Sequence, residues 1–175
     1  MSNLDIASYN RQGKVFTAAN QSGATVTLIN TSTTTGFVLS NPWGSNKKAI
    51  LVAGGFQYTT VPTATAVLFW ALSIAPSQIA HASVTALQVY GADGSGAAGG
   101  ASCRAYSAST TPNLPVYTRS FGYSPTTPAT TGSLSSFRDV IDGAIVLVPG
   151  AYVQVSYITT APVGITDMQW IEVPQ

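Results

Sequence analysis

The stretch AIVLVPGAYVQVSYI, Ala144 to Ile158, decides the fold. Two apolar runs, 144–148 and 151–158, flank Pro149-Gly150. Pro at the second turn position and Gly at the third is the type II pairing, because Pro presets φ and Gly accepts a positive φ. In the second run Val153, Val155 and Tyr157 fall on one face and Tyr152, Gln154 and Ser156 on the other. That period of two marks a strand.

The pattern repeats in both directions. Apolar-alternating runs at 14–19, 25–30, 36–40, 47–53, 66–74, 84–90 and 167–173 are separated by Gly, Pro, Asn, Ser and Thr clusters, as in a sandwich or barrel. Within 25–30, Val26 and Leu28 are expected on one face and Thr25 and Thr27 on the other. The turn NPWGSN, Asn41 to Asn46, reverses the chain, and residues 54–65 carry it onward with Phe56 and Tyr58 on one face. The Gly-rich segment 91–102 reads as an exposed or contact loop. Runs at 103–108 and 116–122 are shorter. Pro112, Pro115, Pro125 and Pro128 make 109–135 a surface connection that carries Tyr117, Phe121 and Tyr123. Helix signals are confined to short turns at 76–82 and 133–140, the latter with Ser135 placed to cap it. Eight to ten strands without a fixed-period repeat predict an all-β, two-sheet β-sandwich, in first place a jelly roll. An immunoglobulin-like sandwich is the runner-up, though the paired cysteines are missing.

Composition limits the function classes. The 175 residues fit one domain, assigned to 14–175, with 1–13 as an extended N-terminal arm on which Leu4, Ile6 and Tyr9 are spaced among polar residues. Charged residues make up only 7% of the chain, against about 25% in ordinary soluble domains. A neutral Thr/Ser surface of this kind suits assembly against other protein surfaces. Net charge is +1 and no basic run exceeds Lys47-Lys48, so nucleic acid is not an expected partner. The most apolar stretch, 66–75, is too short to span a bilayer, which takes about 20 residues. The opening Met-Ser-Asn-Leu-Asp has no signal-peptide character. Cys103 is alone, which excludes an intramolecular disulfide and a cysteine zinc site.

Chemistry finds few candidates among six acids, seven bases and one histidine. His81 has no nucleophile motif to serve and reads as a turn residue. Asp139 and Asp142 form the nearest approach to an acid pair. Asp142-Gly143, however, reads as a turn, with Arg138 available to neutralise an acid. Asp93-Gly94-Ser95-Gly96 begins like a calcium loop but lacks the later oxygens and the closing Glu. Cys103 reads as a buried strand residue. Trp70 is expected in the core, Trp170 in the core or a subunit contact, and Trp43 exposed in its turn. No catalytic, cofactor or metal residue is assigned. The expected contact residues are Leu4, Ile6, Tyr9, Trp43, Tyr117, Phe121 and Tyr123.

Three passages, YNRQGKVFTAA (Tyr9 to Ala19) with GFVLSNPWGSNKKAILV (Gly36 to Val52), FRDVIDGAIVLVPGAYVQV (Phe137 to Val155) and MQWIEVP (Met168 to Pro174), resemble virion proteins of tailed bacteriophages. They cover under half of the chain, and none is a chemical motif. The resemblance implies a jelly-roll capsid decoration, or cement, protein. Such a protein binds the major capsid protein on the outer head surface as a homo-oligomer, a trimer or dimer. A head-fibre, tail or baseplate component, or a carbohydrate-binding jelly roll for host attachment, is the alternative. Trp43 and Tyr117 would carry the carbohydrate contact.

Overall fold

The computed structural model describes residues 5–29, 31–60, 64–76, 79, 84–97, 100–124 and 136–175. A short helix, α1 (Ile6–Arg11), leads into β1 (Val15–Ala19), β2 (Ala24–Thr25), β3 (Thr27–Leu28), β4 (Thr33–Ser40), β5 (Lys47–Tyr58) and β6 (Ala66–Leu72). Then come β7 (Thr85–Leu87), β8 (Tyr90–Gly91), β9 (Arg104–Thr110), β10 (Val116–Ser124), β11 (Ser136–Val140), β12 (Val146–Leu147), β13 (Tyr152–Thr159) and β14 (Val163–Pro174).

Eight of these strands form a jelly roll. Taken in chain order as β1, β4, β5, β6, β10, β11, β13 and β14, the first pairs with the eighth, the second with the seventh, the third with the sixth and the fourth with the fifth, all antiparallel. This is one long hairpin rolled into two facing sheets. One sheet runs β11-β5-β14-β1 and is extended by β8; the other runs β10-β6-β13-β4 and is extended by β9 and β7. The insertion between β6 and β10 therefore adds strands to both sheets along the same side of the sandwich.

Alternation places the core. Leu68, Trp70, Val153 and Val155 from one sheet meet Leu51, Phe56, Met168 and Trp170 from the other, all buried. Trp70 approaches the backbone of the facing sheet so closely that a Cβ on Gly54 would lie 2.7 Å from its ring. Gly54 and Gly55 thus do not end the strand begun at Lys47, and β5 continues to Tyr58, where the sequence predicted a connection from 54 onward. The residue types are poor strand formers, but neighbouring side chains occupy the space that their own side chains would need.

The two turns read from the sequence are present. Val148 to Ala151 closes with a 2.9 Å Ala151 N–H to Val148 carbonyl bond and Gly150 at φ +87°, a type II turn. It links β12 and β13 across the two sheets and is not a hairpin. Ile141 to Ala144 closes at 3.0 Å with positive φ at both Asp142 and Gly143, the type I′ pairing of Asp-Gly. Its amides at Ile141 and Asp142 both donate to the Val52 carbonyl, at the bulge where β5 slips by one residue against β14.

Four expectations change. Residues 25–30 are not one half-buried strand: β2 pairs with β14 in one sheet and β3 with β13 in the other. Thr27 is buried and Leu28 exposed, because the Thr27 hydroxyl exchanges hydrogen bonds with the Thr35 amide and carbonyl. Residues 109–124 are not a connection; β9 and β10 are regular, with Pro112 and Pro115 in the link between them. The turn at 133–140 is strand β11 from Ser136 onward, and Ser135 lies outside the described residues. Finally, the arm over 1–13 is not extended in its described part. Asp5 accepts the Ser8 amide at 3.0 Å and caps α1, and Ile6 and Tyr9 pack onto Val15, Val52 and Ile171 on the outside of the sheet. Apolar residues three apart on a capped turn present one face, and here that face finds apolar cover at home.

Candidate functional site

Charged side chains come first, because they are scarce. Of the six acidic residues, five hold structural partners through their carboxylates and Asp142 serves through its backbone. Asp5 caps α1, and Asp93 Oδ1 accepts both the amide and the hydroxyl of Ser95 in a short Asx turn, which holds its carboxyl below the usual range. Asp142 occupies the positive-φ position of the type I′ turn. Asp167 meets Arg138 at 3.2 Å across Gly55, where a Cβ would come within 2.7 Å of the carboxylate. That bridge is well exposed and contributes little.

The remaining two are buried and link the sheets. On β11, Asp139 accepts the Trp70 indole N–H at 3.0 Å through one oxygen and Arg119 Nη2 at 2.8 Å through the other. Phe121 stacks on the same Trp70 ring at 4.2 Å. On β14, Glu172 Oε1 accepts the amides of Ser102 and Cys103, both at 2.9 Å, and the Trp170 indole at 3.2 Å. Its Oε2 accepts Ser102 N at 2.8 Å and Lys47 Nζ at 3.1 Å. Burial pushes the Glu172 carboxyl up. The Cys103 and Ser102 amides, the Trp170 indole and Lys47 outweigh burial and hold it below its ordinary value. Beside it the Cys103 thiol is pushed well up, by burial first and then by the Glu172 charge. A thiol in that state is a poor nucleophile.

Arg138 therefore neutralises Asp167 and not Asp139, and Asp139 and Asp142 serve different structures. Among the described residues no three His, Cys, Asp or Glu side chains converge to hold a metal ion. His81 lies outside the described residues. No described helix is long and apolar enough to cross a membrane.

Large apolar side chains also stand at the surface. Eleven large hydrophobic side chains are exposed among the described residues. Tyr117 and Tyr123, as expected, are among them, on the outer face of β10 and roughly 20 Å apart by strand rise. Tyr117 rests against Phe69 at 5.0 Å, and Tyr123 sits beside Val67, whose other neighbour is the exposed Ile158. Phe121, expected with them, turns inward onto Trp70. Leu4 lies outside the described residues.

Trp43 stands at one end of the sandwich, half-exposed. A Cβ on Gly150 would touch its ring at 2.8 Å and the Pro76 ring at 3.2 Å, so the β4–β5 turn, the β12–β13 turn and the start of the insertion meet there. Asn41, fully buried, fastens the first two by donating to the carbonyls of Lys47 and Leu147 at 2.8 and 2.9 Å. Beside Trp43, a cleft of about 180 Å³ runs between residues 72–76 and 146–151.

Protein-family models, curated proteins and solved structures give no match to this chain.

The sequence reading missed most of this end. Ile74 was counted within the apolar run from Ala66, but β6 stops at Leu72 and Ile74 projects from the bend beyond it. Leu114, Val116 and Val146 were likewise overlooked, and all three are exposed. The available signal was an apolar residue within a few positions of Pro76, Pro115 or Pro149, on segments free of charge.

Proposed function

We propose that this chain is a structural virion protein of a tailed bacteriophage: a capsid decoration protein that binds the major capsid protein on the outer head surface and works as a homo-oligomer. The observation that carries the reading is the use of charge. Five of the six side-chain carboxylates are held in structural hydrogen bonds or ion pairs, whereas large apolar side chains stand exposed on strands and turns. A surface so arranged favours burial against another protein over proton transfer, which needs convergent titratable groups. The jelly-roll architecture and the resemblance of the Tyr9–Ala19, Gly36–Val52, Phe137–Val155 and Met168–Pro174 passages to phage virion proteins support the same class.

The test is co-sedimentation of the purified chain with expanded, undecorated heads. The chain should pellet with heads and stay in solution with unassembled coat subunits. A chain left in the supernatant in both cases refutes the reading. Copy number per particle separates a decoration protein, present in hundreds, from a fibre, tail or baseplate part present in a handful.

A further inference from the structure

We propose that Asp93-Gly94 is a site of spontaneous backbone modification, where the Asp93 side chain closes on the following amide and the chain reopens as isoaspartate. The inference concerns the chain itself and does not rest on the proposed virion role. The sequence holds two Asp-Gly steps, Asp93-Gly94 and Asp142-Gly143, and both aspartates are exposed. In each, glycine leaves the attacking nitrogen unhindered by a side chain, so residue type does not separate them. Hydrogen bonding does. The Gly143 amide donates to the Leu51 carbonyl at 2.8 Å and the Asp142 amide to the Val52 carbonyl at 2.9 Å, both on buried residues of β5. Attack on the Asp142 carboxyl carbon would first pull Gly143 off that strand. The Gly94 amide has only a 3.3 Å contact to the Gly91 carbonyl, within its own exposed loop. Gly94 stands at φ +81°, and a Cβ there would meet nothing within 4 Å, so a five-membered ring has room.

The Asp93 carboxyl is also held ready. Ser95 donates its amide at 3.0 Å and its hydroxyl at 2.6 Å to Oδ1. The two side chains fold back over Gly91, where a Cβ would come within 2.6 Å of both oxygens. Both donors face the oxygen on which negative charge develops as nitrogen adds to the carboxyl carbon. The chemistry is a dehydration followed by a hydration. In the protonated acid, the Gly94 nitrogen bonds to Asp93 Cγ, and the Oδ2 hydroxyl leaves as water with the amide proton. Water then adds to either carbonyl of the succinimide. Opening at Cγ restores aspartate. Opening at the original main-chain carbonyl leaves the chain running through Cγ, one carbon longer and unchanged in mass. That longer backbone falls in the loop that follows β8, where the Ala92 amide donates to the Val15 carbonyl of β1 at 2.9 Å.

Ageing of the purified chain at pH 5 tests this, with wild type and Ser95→Ala, each native and unfolded in guanidinium chloride. Electron-transfer mass spectrometry of the peptides counts isoaspartate at each step. In the native wild type it should accumulate at Asp93 about tenfold faster than at Asp142, the effect of one backbone hydrogen bond that must open first. Unfolding should bring the two rates together. Ser95→Ala should slow the native reaction at Asp93 by about two- to tenfold, the contribution of one hydrogen bond, and leave Asp142 unchanged. Ser95 is exposed, so the variant should melt with the wild type. Equal native rates at the two steps, or a faster reaction at Asp142, overturn the proposal. So does a bias that survives unfolding, which would assign it to flanking residues and not to the fold. A Ser95→Ala chain that ages at Asp93 as fast as the wild type overturns it as well.

Discussion

Glu172→Gln removes the charge at the junction of the two sheets and the insertion, and its cost follows from the partners. The Gln oxygen can keep the Ser102, Cys103 and Trp170 donors that now reach Oε1. Its amide then faces Lys47 Nζ, donor against donor, and the Ser102 contact to Oε2 is lost. Hydrogen bonds to a buried charge contribute about 1.5–3 kcal/mol each. The Lys47 side chain is about a third exposed, so its share is reduced by solvent screening. A net loss of about 2–3 kcal/mol follows, or roughly 4–12 °C in melting temperature for a domain of this size. The folded carboxyl is held below its ordinary value. Its stabilisation is therefore complete above the unfolded pKa of about 4.3 and is lost as pH falls through the lower folded value. Thermal and urea unfolding of wild type and variant at pH 7, and at successively lower pH, reads both effects. The gap should be full at neutral pH and shrink in acid as the wild type protonates. A variant that melts with the wild type at pH 7, or a gap that does not narrow in acid, refutes the assignment.

Gly54→Ala puts a Cβ 2.7 Å from the Trp70 ring, which is itself held by Asp139 and by Phe121. Overpacking at a site that cannot yield should cost about 1–3 kcal/mol, read in urea unfolding, and a neutral result would mean that Trp70 is free to shift. Cys103 should resist a thiol-specific disulfide reagent in the native state at pH 8 and react fully in urea, because burial and Glu172 keep its thiol protonated. Rapid native labelling would show that the Ser102–Cys103 segment opens readily.

The strands of the jelly roll were legible where residue types alternate along the run, even in β13, whose residues 152–156 are buried on both faces. Val153, Val155 and Tyr157 point inward as the alternation requires, and both Pro149-Gly150 and Asp142-Gly143 form the turns that their residue types demand. Legibility failed where a side chain outside the local pattern decides the outcome. Gly54-Gly55 reads as a break until Trp70 and Asp167 are seen filling the space above the glycines. Thr27 reads as solvent-facing until its hydroxyl is matched to Thr35, eight residues away. The pairing partners of Asp139 and Glu172 lie 20 to 125 residues distant, beyond the reach of any local spacing rule. For the surface, Trp43, Tyr117 and Tyr123 could be picked out as aromatics in or beside turns. Ile74 and Val146 could not, because an apolar run tells where strands run but not where they stop.

The low charge and the fold are two aspects of one arrangement. A jelly roll brings its first and last strands together, β1 against β14, and leaves the long insertion after β6 to be secured by other means. Glu172 does this at one side of the sandwich by binding the amides of residues 102 and 103. Asp139 does the equivalent at the other side by linking β11 to Trp70 of β6 and Arg119 of β10. A buried carboxylate holding several N–H groups is worth keeping only if those partners are fixed, since a partly satisfied one destabilises. The Asp139–Arg119 pair thus registers the two sheets, Lys47 and Glu172 join neighbouring strands of one, and Asp167 and Arg138 add a weaker tie on the outside. Residues 41–46 and 144–151, the turns at the Trp43 end, are themselves uncharged, and Lys47, which follows the first, is turned onto Glu172.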